Sequence, residues 1–230
     1  MNTIIDKTTT LKERYRRQFR DRAFVKTFVW SIVMVLISLV VNYFAALYAA
    51  ERASSSVTDI ILSNIPAFDV DWLFTWGPPV FWTIMLVIVF YDPKRVPFFL
   101  KCVALFVVIR SGFISLTHIG PFPDQISTAV DFGPSWFRNI AANTNFFIFS
   151  SGADLFFSGH TGLPFLMGLI FWTHRNVRTF CIAGAIFFAI VVLLGHLHYS
   201  IDVASAFFIS YAIYHIALQL FRADERRFLS

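Results

Sequence analysis

Phe28-Val-Trp-Ser-Ile-Val-Met-Val-Leu-Ile-Ser-Leu-Val-Val-Asn-Tyr-Phe-Ala-Ala-Leu-Tyr-Ala-Ala50 is a run of 23 residues without one charged side chain. As a helix it reaches the ~30 Å of a bilayer's hydrocarbon core, and it is apolar on every face, as a membrane span is. Reading outward, comparable runs recur at Trp72 to Tyr91, Pro97 to Leu116, Leu155 to Thr173, Thr179 to Leu197 and Tyr199 to Phe221. Gly77-Pro78-Pro79 weakens the second, and almost nothing separates the last two. Composition agrees: the 230 residues are 57% hydrophobic and only 14% charged, with 29 phenylalanines, where soluble domains carry roughly 25% charge. The expected fold class is all-α and integral to the membrane, a six-transmembrane helical bundle.

Charge sets the expected orientation, because Lys and Arg accumulate on the cytoplasmic side. Lys7, Lys12, Arg14, Arg16, Arg17, Arg20, Arg22 and Lys26 precede the first run; Lys94 and Arg95 follow the second; Arg175 and Arg178 follow the fourth; Arg222, Arg226 and Arg227 follow the sixth. The alternate connections hold only Arg52 and Arg138, beside seven acids that include Asp59, Asp124 and Asp154. Both termini are therefore expected in the cytoplasm, with three connections outside. The net charge of +5 is an inside-minus-outside pattern and does not suggest nucleic acid.

Three parts are expected: a basic cytoplasmic segment over residues 1–26, a six-span domain over 27–222, and a short cytoplasmic tail over 223–230. The first run follows about 27 polar residues and is too long for the apolar region of a signal peptide, so it is expected to stay as a span. Leu11, Tyr15, Phe19 and Ala23 recur every fourth residue among basic side chains, which reads as an interfacial helix or as a solvated polybasic tail. Cys102 and Cys181 fall inside apolar runs, where neither a disulfide nor a metal site is expected. The connection from His118 to Asp154 is the longest. Its Pro121, Pro123, Gly133 and Pro134 mark a loop, and Trp136, Phe146, Phe147 and Phe149 suit a lid packed over the outer face.

Two strings carry the chemistry: Asp154-Leu-Phe-Phe-Ser158-Gly159-His160-Thr161 and His198-Tyr-Ser-Ile-Asp202-Val203. Each places a histidine at the outward mouth of an apolar run, where an ionisable group marks a functional site. Asp202 follows His198 by four residues, so on a helix its carboxylate can orient the imidazole. The pair suits phosphoryl transfer, with His198 attacking phosphorus and His160 protonating the departing alkoxide. Arg110, well inside the third run, is a costly cation unless it meets an anion such as phosphate; snorkelling to the headgroups is the alternative. Backbone amides near Ser158 and Gly159, at a helix start, suit phosphate oxygens, and Arg138 could add a loop cation. Asp154 could sense a cationic headgroup or simply cap a helix. His174 and His215 read as structural, and His118 stays open. A metal site from His196, His198 and Asp202 is disfavoured, because residues two apart on a helix diverge. No Gly-x-Ser-x-Gly or Gly-x-x-x-x-Gly-Lys occurs around these residues.

The two strings resemble the sphingomyelin synthase family, a branch of the lipid phosphate phosphatase (type-2 phosphatidic acid phosphatase) superfamily. The resemblance implies a triad of His160, His198 and Asp202, a six-span bundle with its site at the outer face, and no metal or other cofactor. It also implies transfer of phosphocholine or phosphoethanolamine from a glycerophospholipid, through a phosphohistidine, to ceramide or diacylglycerol. Arg110-Ser-Gly-Phe-Ile-Ser-Leu-Thr117 and the following Gly120-Pro121-Phe122-Pro123 look like a degraded arginine-and-threonine motif of that family. Gly152-Ala153 stands where Cys-Gly is usual, and Ile65-Pro66-Ala67-Phe68-Asp69 only echoes Pro-Leu-Pro-Asp. The phosphatase branch's Lys-x6-Arg-Pro is missing, and Val192 takes the place of its arginine ahead of the second histidine. Hydrolysis by the same triad, as a phospholipase C or lipid phosphatase, is the second reading. A non-catalytic lipid-binding or lipid-moving protein is the third. The implied partners are a phospholipid donor, a lipid alcohol acceptor and the bilayer, with homo-oligomers open. The expected location is a bacterial inner membrane, or a Golgi or plasma membrane in a eukaryote, with the site on the periplasmic or exoplasmic side.

Overall fold

The computed structural model describes residues 10–124 and 155–229, and every regular element found there is helical. The helices are α1 (Leu11–Gln18), α2 (Arg22–Glu51), α3 (Asp71–Phe90), α4 (Val96–Leu116), α5 (Gly159–Ile170), α6 (Arg175–Leu194), α7 (Ser200–Leu220) and α8 (Arg222–Leu229), with single 3-10 turns at Leu62–Asn64 and Pro93–Arg95. Five of them are long and apolar enough to cross a membrane: α2, α3, α4 with its preceding turn, α6 and α7. The chain is in this sense a multi-pass membrane protein. Phe208, Val87 and Phe44 are 78%, 67% and 63% exposed, an apolar surface that suits lipid rather than water.

The fourth apolar run departs from expectation. It was to span from Leu155 to Thr173, but α5 has 12 residues and so a length of only ~18 Å. Most of it is buried, from Thr161 and Gly162 to Leu169 and Ile170, between α4, α6 and α7. Gly162 makes this possible. A Cβ there would lie 2.8 Å from Ser210 Oγ and 3.0 Å from the Phe106 ring, and Ser210 Oγ donates to the Gly162 carbonyl at 3.0 Å. Asp154, Arg138 and the rest of the expected lid from residue 125 on lie outside the described residues.

Gly77-Pro78-Pro79 does not end α3, which runs through both prolines. Their missing N–H groups withdraw the donors that the Phe74 and Thr75 carbonyls would otherwise receive. On α2 the buried face is Phe24, Ser31, Ser38 and Ala45, every seventh residue, so its backbone approaches α4 over small side chains. Ser31 and Ser38 return their hydroxyls to Phe28 and Val35 carbonyls, both at 2.7 Å. The N-terminal periodicity divides between two helices. Thr10 and Glu13 cap α1 in a reciprocal box, and Asp21 caps α2 through the Ala23 N–H. α1 docks on protein, with Tyr15 Oη donating to the Phe90 carbonyl at 2.9 Å.

Contacts between connections gather at two ends. At one, Arg95 meets His174 at 2.9 Å, Lys101 pairs with Asp224, and Phe228 packs on Phe98 and Phe171. At the other, the Ser54 N–H donates to the His118 carbonyl at 2.7 Å, the Phe68 N–H to the Leu194 carbonyl at 2.8 Å, and the Ser158 N–H to the Asp202 carbonyl at 3.1 Å. The basic connections share the first end and the histidine strings share the second.

Candidate active site

Both strings lie where a helix begins. Ser158 is the N-cap of α5, its hydroxyl accepting from the Thr161 N–H at 3.4 Å, and His160 is the second helical residue. Tyr199 is the N-cap of α7, and Asp202 completes its first turn by accepting the Tyr199 N–H at 3.0 Å through Oδ2. A carboxylate is favoured there by the exposed N–H groups and dipole of the helix start. The Ser158–Asp202 backbone bond ties one helix start to the other, which sets both histidines at one depth.

His198 Nδ1 lies 3.5 Å from Asp202 Oδ2, and both side chains are buried. That is an ion-pair distance, longer than a formed hydrogen bond. The ring centroids of His160 and His198 are 6.4 Å apart, and the ring of Phe74 on α3 lies 4.5 Å from that of His160. Since Nδ1 of His198 addresses the carboxylate, Nε2 is the nitrogen left for a reacting group. Arg110 reaches the same place from α4: its Nε donates to the Phe157 carbonyl at 2.9 Å, and a Cβ on Gly159 would sit 3.5 Å from that Nε. The guanidinium thus turns to the start of α5 rather than leaving along the helix toward headgroups. The Ser158 N–H is committed to Asp202, so Ser158 serves here as a cap and link.

Buried polar atoms without a hydrogen-bond partner concentrate here. Among the described residues they are Thr161 Oγ1, both ring nitrogens of His196, His198 Nδ1 and Asp202 Oδ1, with only Arg95 Nε and His118 Nε2 elsewhere. Most buried polar groups in folded proteins are satisfied, so a cluster of exceptions marks a place shaped for something other than stability. His196 adds backbone strain. Its φ is 53°, at the position after the C-cap Gly195 where a glycine is usual. The Leu197 N–H bonds the Val192 carbonyl at 2.8 Å and the His196 N–H the Leu193 carbonyl at 3.1 Å, a complete Schellman closure of α6. A non-glycine residue in that region costs of order 1–3 kcal/mol.

Asp59 is a support that the sequence alone did not reveal. From the loop between α2 and α3, its Oδ2 accepts the Ser200 N–H of α7 at 2.7 Å, while Oδ1 takes Ile61 and Leu62 at 2.8 and 3.1 Å. Burial alone would raise its carboxyl's pKa, but these N–H donors, Ser200 foremost, outweigh it and hold the group below the usual carboxylate range. Tyr199 adds a second brace, its hydroxyl donating to the Gly120 carbonyl at 2.8 Å and accepting from the Val57 N–H at 3.2 Å. No local spacing could link residue 59 to residue 200; only an aspartate in a loop expected outside hinted at it.

The other histidines are placed apart from the pair. His174 bonds Arg95, His215 packs on Tyr211 at 4.4 Å, and His118 packs on Tyr48 at 5.5 Å. An apolar groove of about 600 Å³ opens between α3 and α6, lined by Trp72, Trp76, Phe81, Gly184 and Phe188, and begins within a turn of Phe74.

No curated protein and no solved structure matches the chain. One family model does, "PAP2 superfamily C-terminal", over residues 152–219, a segment that contains both strings but neither Arg110 nor Asp59. That match does not separate the sphingomyelin synthase branch from the rest. Over the segment that carries His160, His198 and Asp202, the chain is similar to the type-2 phosphatidic acid phosphatase superfamily.

Proposed function

We propose that the protein is a lipid phosphotransferase of the sphingomyelin synthase type, and the observation that carries this is the His198–Asp202 pair with the His160 ring 6.4 Å from His198. His198 Nε2 attacks the phosphorus of a glycerophospholipid. The P–O bond to diacylglycerol breaks, and His160 gives its proton to the departing oxygen. Asp202 faces Nδ1 and stabilises the positive ring of the phosphohistidine. His160, now neutral, takes the proton of an acceptor hydroxyl such as that of ceramide. The new P–O bond forms as the P–N bond breaks, and the headgroup has moved without net gain or loss of water. Arg110 offsets charge on the equatorial oxygens; Asp154 and Arg138 are assigned to the headgroup side. The apolar groove beside Phe74 supports a substrate with acyl chains.

Under this reading the basic end is cytoplasmic, the site opens on the periplasmic or exoplasmic side, and the short α5 counts as the sixth transmembrane element. Hydrolysis differs only in the acceptor, since water in place of the alcohol gives a phospholipase C or lipid phosphatase. The superfamily match supports lipid phosphoester chemistry of either kind.

Purified protein given headgroup-labelled phospholipid with and without ceramide or diacylglycerol separates the readings. Transfer predicts labelled lipid product that depends on the acceptor, and soluble phosphate ester regardless of acceptor means hydrolysis. Asp202→Asn is expected to lower either activity by about 10²-fold or more with the fold preserved. No headgroup turnover in wild type, with lipid binding unchanged in that variant and in His198→Ala, would leave a lipid-binding or lipid-moving protein.

A further inference from the structure

His196 is the one residue of the turn between α6 and α7 whose conformation works against its own side chain. It is 2% exposed, it holds a φ that glycine tolerates far better, and neither ring nitrogen has a hydrogen-bond partner. Its ring meets Phe122 edge to face at 5.2 Å, and Phe122 in turn meets Tyr199 at 5.9 Å, so its aromatic surroundings offer no acceptor. The Schellman bonds and the Val192–Leu197 contact that accompany this turn use backbone and neighbours only. A glycine would keep all of them, relieve the backbone and remove two buried unsatisfied nitrogens. Beyond its packing on Phe122, the imidazole makes no bond that the resting fold uses.

Along the chain its nearest functional neighbour is His198. Only Leu197 separates His196 from His198, so their Cα atoms are within about 7 Å. A neutral imidazole keeps one N–H donor and one lone pair. The acceptor that the site must hold near His198 is an oxygen of the phosphate ester.

We propose that His196 is a substrate-binding residue, donating its free ring N–H to a phosphate-ester oxygen of the lipid that His198 attacks, with the Phe122 ring as the cover that the headgroup displaces. This rests on the reading of His198 as the nucleophile. It goes further by assigning a fourth side chain to the headgroup and a reason for a histidine where the backbone asks for glycine.

The test compares full-length His196→Gly, His196→Asn and wild type on short-chain phosphatidylcholine. His196→Gly is expected to unfold at the same or a higher temperature, yet to lose about tenfold or more in kcat/KM, chiefly through a raised KM. His196→Asn tolerates the left-handed backbone and offers an N–H, so it is expected to recover most of that loss. Full activity in His196→Gly overturns the proposal. A second measurement does not depend on turnover: ring-nitrogen NMR of labelled histidines in His198→Ala, with short-chain phosphatidylcholine or with inorganic phosphate added. A shift of the His196 ring with the lipid supports the contact even if wild type transfers nothing, in which case the proposed reaction fails and this inference stands. A shift with inorganic phosphate alone overturns lipid as the ligand. Absence of any shift, beside an active wild type, overturns the inference and leaves the reaction intact.

Discussion

Asp224 and Asp202 are both buried carboxylates on one helical column, the first just past the C-terminus of α7 and the second in its first turn. Asp224 is fully engaged. Lys101 Nζ binds its Oδ2 and also donates to Thr27 Oγ1 at 2.7 Å, while Thr27 Oγ1 donates to Asp224 Oδ1 at 2.8 Å. Three helices, α2, α4 and α8, are closed on each other by that ring of bonds. Asp202 is left half engaged, with Oδ1 unpartnered and a histidine at ion-pair distance. A buried charge costs much unless it is paired and bonded, so the first cluster is built to hold the bundle and the second keeps bonding capacity in reserve. Under the proposed mechanism, one fold uses the same residue type for stability at one end and for chemistry at the other.

Exchanging the two readouts is the sharpest way to break this contrast. His198→Ala is expected to lose about 10³-fold or more in turnover while its unfolding temperature stays near wild type, since the ring's Nδ1 makes no hydrogen bond in the fold. Lys101→Met is expected to do the reverse, costing about 3–5 kcal/mol in stability while the protein that remains folded turns over normally. Thermal unfolding in detergent and activity per folded molecule check both. Recovery of most of that stability in Lys101→Met/Asp224→Leu would show that the loss came from a stranded carboxylate; turnover lost with Lys101 would collapse the distinction.

Asp59 lies between the extremes, a satisfied carboxylate that supports the reactive end. Asp59→Asn, which loses the charge at the start of α7, is expected to cost about 1–3 kcal/mol and to lower kcat more than it raises KM, through His198's placement. Its native pKa is lowered, so its contribution is present above the ordinary value of 3.8 and fades as pH falls through the folded value below that. Acid unfolding followed in wild type and in Asp59→Asn should show the wild type losing the difference in that window.

His174 gives the smallest expected effect, at the opposite end. Burial first, and then the Arg95 charge, push its pKa below 6.5, so the neutral ring is the one that accepts from Arg95. The folded state binds fewer protons than the unfolded, and stability falls as pH drops below 6.5 toward the folded value. His174→Gln should flatten that slope without changing turnover at neutral pH.

The apolar runs announced five long helices, and the starts of α5 and α7 were legible in Ser158-Gly159-His160 and Tyr199-Ser200-Ile201-Asp202. The fourth run misled on length because hydrophobicity records distance from water, not whether the neighbour is lipid or protein. Leu155 to Thr173 is apolar largely because α4, α6 and α7 enclose it. Gly77-Pro78-Pro79 misled in the other direction, since a helix within a bundle survives lost backbone donors that would end it in water. His196 was visible as a residue but not as an anomaly, because only the coordinates reveal its φ and its unpartnered nitrogens.

By itself the sequence determined the solvent, the helical class and the His198–Asp202 pair. Each follows from local facts: apolar length, charge placement and a four-residue spacing within one helix turn. Tertiary structure decided that His160 faces His198, that Arg110 turns to Gly159, that Asp59 braces Ser200, and that α5 stops short. Each of these depends on contacts between residues from about 40 to more than 140 positions apart, which arise from packing and backbone bonding among helices and leave no periodicity in the chain.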